Sequence, residues 1–324
     1  MPELPDVVVY AEHLERLLKG ETLREVRLAS PFVLRSVTPP LGALEGHALR
    51  GVSRLGKRLV FSFEGEEGDP RQERDPDAGL FLVLHLMIAG RLRWRAGDAP
   101  LSIPRKIGLL SLHFDHGTLL LTEASPKKRA WVRVVEGRSA LAALDPGGLE
   151  PLEATREAFV ARLRSENHTL KRALTDPTLF SGIGNAYSDE ILHAAELSPV
   201  ALTSRLADQD ANRLFEATRT TLADWTDRLR REAGDAFPEK VTAFREDMAV
   251  HGKFGKPCPR CGTKVQRIVY EANETNYCPK CQTGGKLLAD RSLSRLLRGD
   301  WPKSLEEMEE RKDLRRQPEA ADHS

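Results

Sequence analysis

CPRCGTKVQRIVYEANETNYCPKC, residues 258–281, contains all four cysteines of the chain. Cys258 and Cys261 form one C-x2-C knuckle, Cys278 and Cys281 form a second, and 16 residues separate the two. Such a pair of knuckles brings four thiolates to the corners of a tetrahedron, and the VQRIVY run between them suits a hairpin. The spacing therefore reads as one structural Zn2+ site, ahead of a redox pair or a chance cluster. A disulfide framework is the weaker reading, because the start of the chain lacks the basic-then-apolar pattern of a secretory signal. The ribbon is also basic. Residues 251–270 include Lys253, Lys256, Arg260, Lys264 and Arg267 and no Asp or Glu. A rigid hairpin with that charge suits a polyphosphate backbone, although zinc ribbons also serve protein contacts.

Upstream of the ribbon the apolar spacing is helical. EATREAFVARLR (153–164) is amphipathic, with Thr155 as a candidate N-cap. NHTLKRALTD (167–176) reads as a short helix, and 205–232 as one long helix with Leu206, Leu214, Leu222 and Leu229 among its apolar positions. Between them runs LFSGIGNAYSDEILHAA (179–195), a loop passing into a helix. Its glycines let backbone N–H groups approach an anion at a helix N-terminus. A tight helix–helix turn would use the same residues. Lys171 and Arg172 precede the loop and add cations. Downstream of the ribbon, 286–316 reads as one or two helices whose charges balance at helical spacing, before a disordered end.

Before residue 136 the period changes again. LVFSF (59–63), LFLVLHL (80–86), GRLRW (90–94), LLSLHF (109–114), TLLLTE (118–123) and AWVRVV (130–135) are short runs between turn residues. They predict a β-sandwich or flattened barrel. The charged, Gly- and Pro-bearing stretch 64–79 reads as a solvated loop, and 137–152 as a linker. Residues 6–19 predict a helix closed by Gly20, which leaves Met1-Pro2-Glu3 at its N-terminus. The four tryptophans, Trp94, Trp131, Trp225 and Trp301, read as packing residues.

The chain is thus an α+β multidomain protein. We expect an N-terminal β-sandwich domain with its helix (1–136), a linker (137–152) and a helical domain (153–250). A zinc finger (251–283) and a C-terminal helical extension and tail (284–324) follow. The formal charge of +1 leaves only charge distribution to identify a partner. No apolar run approaches the ~20 residues of a membrane-spanning helix, and a cytoplasmic, nucleoid-associated monomer is expected.

Three separated features, the Pro2-Glu3-Leu4-Pro5 start, the Gly182-Ile183-Gly184-Asn185 turn and the late four-cysteine ribbon, together resemble the formamidopyrimidine-DNA glycosylase / endonuclease VIII family. The PELPD start is similar to the formamidopyrimidine branch. The resemblance implies a β-sandwich and a helix–two-turn–helix domain flanking a DNA cleft, completed by a zinc finger. It implies that Pro2, once Met1 is removed, is a nucleophile and Glu3 its general acid/base. Damaged double-stranded DNA would be the partner, a base would leave, and the strand would break by β,δ-elimination. By the same resemblance Lys57 and His85 contact phosphates near the lesion and Asn185, beside Gly184, grips the backbone. Lys171 adds a further phosphate contact.

The chain departs from the family pattern where the lesion is handled. HLMIAG replaces HLGMSG, so the void-filling methionine corresponds to Ile88, or to Met87 if the register slips by one. The DPRRFG segment corresponds to Ala124-Ser125-Pro126-Lys127-Lys128-Arg129, which keeps positive charge and lacks the aromatic wedge. Asn273 stands where the zinc hairpin of the family carries an arginine, and Lys127, Lys128 or Arg267 can compensate. Asp6 stands where the family carries Glu. The reading that follows is a glycosylase with abasic-site lyase activity on an oxidised or ring-opened purine. Its alternatives are a glycosylase for an uncommon lesion, a non-catalytic DNA-damage binder, or a zinc-ribbon protein-interaction module.

Overall fold

The computed structural model describes residues 1–63, 79–98, 102–239, 241, 245–270, 273–289 and 301–316. The expected loop at 64–79 falls, apart from Gly79, outside these residues, as does the end of the tail after 316. The chain forms two compact units. One comprises Met1–Glu153, Asp176–Ile183 and Leu222–Ala243, and the other Ala154–Thr175, Gly184–Thr221 and Phe244–Ser324.

The first unit opens with helix α1 (Leu4–Leu18). Pro5 sits in its first turn, where a missing N–H costs nothing, and a reciprocal capping box joins Glu3 and Asp6. The Glu3 N–H donates to Asp6 Oδ2 at 3.0 Å, so Asp6 spends its carboxylate on starting the helix. Gly20 follows the helix at φ 86°, a left-handed geometry that suits glycine.

Eight strands follow: β1 (Leu23–Leu28), β2 (Leu49–Leu55), β3 (Arg58–Phe63), β4 (Leu80–His85), β5 (Gly90–Ala96), β6 (Gly108–Phe114), β7 (Gly117–Glu123) and β8 (Trp131–Glu136). They form two four-stranded antiparallel sheets, ordered β1-β6-β7-β5 and β2-β3-β4-β8. One core joins them: Leu59, Leu84 and Val132 from one sheet meet Leu92, Leu112 and Leu119 from the other, with Val7, Tyr10 and Leu14 of α1. β1 (LREVRL) and β2 (LRGVSRL) were not among the strand-like runs, because arginines interrupt their apolar alternation.

The continuous apolar run of β4 is explained by burial on both faces. Leu82 and Leu84 enter the core, while Phe81 and Val83 form a second cluster with Val60 and Val135. Leu141 and Leu144 cover that cluster, and a short helix α2 (Arg138–Ala142) carries the first of them. The stretch expected as a linker therefore packs on the outer face of the sandwich.

In the second unit α3 (Arg156–Arg164) begins at Thr155, whose hydroxyl accepts from the Ala158 N–H at 3.2 Å. α4 (Leu170–Thr175) and α5 (Asn185–Ala194) follow, then α6 (Asp208–Ala233), whose residues from Leu222 onward belong to the first unit. Phe159 meets Phe215 with ring centroids 5.4 Å apart. β9 (Gln266–Tyr270) and β10 (Asn273–Tyr277) pair as the hairpin expected between the knuckles, and α7 (Pro279–Thr283) carries the last cysteine. α8 (Leu305–Arg316) is the helix expected in the tail, with Arg311 paired to Glu307 at 2.6 Å. No described helix is long and apolar enough to cross a membrane.

Candidate functional site

In the first unit Pro2 and Glu3 are buried, Glu3 to 2% exposure, so the chain start is no frayed end. The Leu4 N–H donates to the carbonyl of Gly182 at 2.9 Å. Gly182 has φ 77°, and a Cβ there would lie 2.8 Å from Cβ of Leu4. Glycine at 182 is thus demanded by both conformation and space. Burial holds the α-amino group of Met1 below its ordinary pKa, with Arg91 and Lys57 acting in the same direction and Glu3 and Asp6 opposing. Those four charges surround the start of the chain.

Lys57 lies in the Gly56-Lys57 turn joining β2 to β3, where Gly56 has φ 62°. The turn is anchored by Arg54, which donates to the Gly56 carbonyl at 2.9 Å and to Ser181 Oγ at 3.2 Å. Glu150 pairs with the same guanidinium and accepts from Ser181 Oγ at 2.5 Å. The hairpin bearing Lys57 and the segment holding Leu4 are therefore fixed by one polar cluster. Nothing in the sequence separated Arg54 or Glu150 from surface charges, since their partners lie far away in the chain. Arg91 had a weak signal, as every second residue of GRLRWRA is cationic.

His85 ends β4. Its Nδ1 accepts from the Met87 N–H at 2.9 Å, which leaves Nε2 as the protonated nitrogen of the neutral ring. Burial, reinforced by Arg58 and Lys57, pushes its pKa down to about 4. Met87 is left-handed at φ 51°, and this geometry leaves Ile88 58% exposed at the tip of the turn. In the 124–130 loop, Glu123 is 2% exposed and accepts from the N–H groups of Arg129 (2.8 Å) and Ala130 (3.0 Å). Lys128 Nζ donates to the Glu123 carbonyl, and Lys127 is exposed.

In the second unit Gly184 is the N-cap of α5 and Asn185 its first residue. Asn185 Nδ2 donates to the Glu274 carbonyl of β10 at 2.9 Å, tying the turn to the zinc hairpin. Lys171 donates to the Asn185 carbonyl at 2.7 Å and pairs with Asp189 at 2.5 Å. Asp189 also takes His251 Nδ1 at 2.8 Å and the Asn276 N–H at 3.1 Å. Beside it, Glu190 accepts from the N–H groups of Ala249, Val250 and His251 at 2.7–2.9 Å. This buried pair of carboxylates, missed in the sequence, organises the loop before the ribbon. Arg267 lies 4.4 Å over the Phe254 ring and pairs with Glu274 at 2.9 Å. Asn273 opens β10.

The four cysteine sulfurs lie within 4.8 Å of one another, with Cys261–Cys278 at 3.4 Å and Cys258–Cys281 at 4.0 Å. A tetrahedron built on Zn–S bonds of ~2.3 Å has edges of about 3.8 Å, so the set fits one zinc ion. His193 Nε2 stands 3.2 Å from Cys258 Sγ, where its N–H can donate to a thiolate.

Three family profiles match in succession: the formamidopyrimidine-DNA glycosylase N-terminal domain over residues 1–130, its H2TH domain over 148–227, and the zinc finger found in FPG and IleRS over 255–284. The formamidopyrimidine-DNA glycosylase of Pelotomaculum thermopropionicum is 30% identical over 291 residues, spanning 87% of this chain and 99% of the relative. An uncharacterized formamidopyrimidine-DNA glycosylase-like protein of Mycobacterium tuberculosis is 38% identical over 151 residues, 47% of this chain and 94% of that protein. Among solved structures, wild-type Lactococcus lactis Fpg in complex with DNA containing an oxidized pyrimidine superposes with a TM-score of 0.72. It is 26% identical and covers 87% of this chain and 100% of its own.

Proposed function

The chain belongs to the formamidopyrimidine-DNA glycosylase family, and on that premise we propose that it excises a damaged base from double-stranded DNA and then cuts the strand at the abasic site. The observation that carries this reading is the setting of its start. Pro2 is buried at the head of α1, next to buried Glu3, in a setting where burial, with Arg91 and Lys57, lowers the pKa of the neighbouring Met1 amine.

With Met1 removed, the secondary amine of Pro2 attacks C1′ of the deoxyribose. The C1′–N bond to the base breaks and the base leaves with a proton, which Glu3 delivers. The proton lost from the Pro2 nitrogen is taken up by O4′ as the C1′–O4′ bond breaks, which opens the ring and gives a cationic iminium between Pro2 and C1′. Its positive charge acidifies C2′–H. Loss of that proton expels the 3′ phosphate, and a second elimination expels the 5′ phosphate.

Lys57 and His85 hold phosphates beside the lesion, His85 as a neutral N–H donor. Ile88 fills the space left by the flipped nucleotide, at a cost of a few kcal/mol for unstacking. Lys127, Lys128 and Arg267 supply positive charge, and the backbone at Gly184 and Asn185 grips a phosphate. Lys171 contributes through the Asn185 carbonyl it holds. A closed set of four thiolates leaves no open coordination position, so the zinc ion on Cys258, Cys261, Cys278 and Cys281 stabilises the hairpin. The protein acts as a monomer where the chromosome is. Its substrate is an oxidised or ring-opened purine, with range altered by the missing aromatic wedge.

Borohydride trapping on duplex DNA with an abasic site tests the reading. A covalent complex is expected, and its absence together with specific binding of the lesion would identify a non-catalytic damage binder.

A further inference from the structure

We propose that a cleft on the outer face of the β2-β3-β4-β8 sheet binds an unpaired nucleotide of the DNA strand, its base on Trp131 and its phosphates on the arginines around it. Arg58, His85 and Trp131 are directly opposite one another on β3, β4 and β8, so their side chains share one face. The His85 and Trp131 ring centroids are 5.5 Å apart, and the Arg58 guanidinium carbon lies 5.7 Å from the Trp131 ring. Beside this row opens a cleft of about 580 Å³, and Arg35, Lys128, Arg129 and Arg133 join Arg58 and Trp131 in its lining. No carboxylate is among the lining residues.

Five cations around one indole favour an anion in the cleft, with Asp145 a carboxylate that acts on Arg58 from outside the lining. Burial, with Arg58 and Lys57 acting in the same direction, keeps His85 beside this row neutral. The walls are held in place. The Arg35 N–H donates to the Val132 carbonyl at 2.8 Å, and the Val134 N–H donates to Ser36 Oγ at 2.9 Å, so the loop bearing Arg35 is fastened along β8. Arg58 Nη1 donates to the Leu144 carbonyl at 2.6 Å.

Aromatic faces flanked by cations bind single strands, because a base offers its π-face only when it is not stacked in a duplex. The volume lies within the ~300–1,000 Å³ of small-ligand sites. His85 is shared between this face and the phosphate contacts proposed above, so a strand running past His85 reaches the cleft directly. The choice of DNA as the strand rests on the proposed function; the nucleotide chemistry of the cleft does not.

The test measures binding of a labelled single-stranded oligothymidylate to the full zinc-loaded chain, across a salt series. Trp131→Leu is expected to weaken this binding about tenfold through lost stacking. Arg35→Ser/Arg133→Ser, at one exposed and one half-buried position, is expected to lower the single-strand salt slope by about 1.4 for two lost phosphate contacts. Unchanged affinity and slope in the folded double variant would overturn the proposal. So would competition by thymidine monophosphate matching that of the oligonucleotide at equal phosphate concentration, since the site would then take free nucleotides. Borohydride trapping on abasic duplex is run alongside. Its failure would overturn the glycosylase reading and leave the single-strand measurement to decide the cleft.

Discussion

Leu4 and Gly182 are joined by a backbone hydrogen bond of 2.9 Å, which fastens the start of α1 to the glycine turn of a segment 178 residues later in the chain. Because Gly182 is left-handed at φ 77° and its missing Cβ would sit 2.8 Å from Leu4, Gly182→Ala must strain the turn or push α1 away. The expected cost is about 1–3 kcal/mol. Denaturant unfolding checks the cost. Abasic-site trapping is expected to fall more than stability alone accounts for, because Pro2 moves with α1; full trapping by the folded variant would show that the contact does not position Pro2.

The amine chemistry gives a pH prediction. Burial, with Arg91 and Lys57 and against Glu3 and Asp6, lowers the pKa of the Met1 amine, and we expect the same direction for the adjacent Pro2 amine once Met1 is removed. The reactive neutral form then persists to lower pH than in a free peptide, whose α-amino group titrates near ~8. The acid limb of the trapping profile should therefore lie below that of a prolyl peptide reacting with the same abasic sugar. Arg91→Ser should move it upward, since a charge that disfavours the ammonium form is removed. Retention of Met1, verified by intact mass, should abolish trapping.

His85 supplies a second pH effect, with the opposite readout. A histidine titrates near ~6.5 in the unfolded chain, and here burial pushes it to about 4. Between those values the unfolded state binds more protons, so the contribution of His85 is complete above about 6.5 and is lost as pH falls towards 4. His85→Gln should flatten the melting temperature against pH across that window relative to the parent protein. Identical profiles for the two proteins would refute the buried neutral ring.

The sequence made much of this legible because its strongest patterns are local. Knuckle spacing placed the cysteines, short apolar runs between turn residues placed six of the eight sandwich strands, and Thr155 capped its helix as expected. What stayed hidden depends on distant partners. β1 and β2 carry arginines at positions a short apolar window discounts, yet Arg54 of β2 anchors the Lys57 turn through Ser181 and Glu150. Trp131 read as a packing residue and does pack on the Val60, Phe81, Val83 and Val135 cluster; what only strand register shows is that it stands beside His85. The family resemblance implied a phosphate contact for Lys171; what the sequence did not show is that its ammonium also meets Asp189 and the Asn185 carbonyl.

Zinc removal should loosen more than the ribbon. Asn185 Nδ2 is bound to the Glu274 carbonyl of the zinc hairpin, and His193 contacts Cys258. Cys258→Ser, or chelation, is expected to unfold the hairpin and release the Asn185 turn within the second unit. Hydrogen exchange should show lost protection at 184–188 as well as at 255–284, with duplex binding lost in parallel. Loss confined to the ribbon would show that the turn stands alone.

Lys171 separates a phosphate contact from a positioning role. Its side chain is 12% exposed and that of Asp189 is fully buried, with the two in contact at 2.5 Å. Lys171→Met leaves Asp189 buried with only His251 and Asn276 as partners, and breaking such a pair costs about 3–5 kcal/mol. A phosphate ligand would instead leave stability nearly unchanged and reduce the salt slope of duplex binding by about 0.9. We expect the stability loss with an unaltered slope, measured by urea unfolding and by titrations at several salt concentrations. Lys171→Met/Asp189→Asn should recover part of the stability, since the neutral amide removes the stranded charge while its oxygen still accepts from the Asn276 N–H, whereas the Asn185 carbonyl still lacks the Lys171 donor and duplex affinity stays reduced.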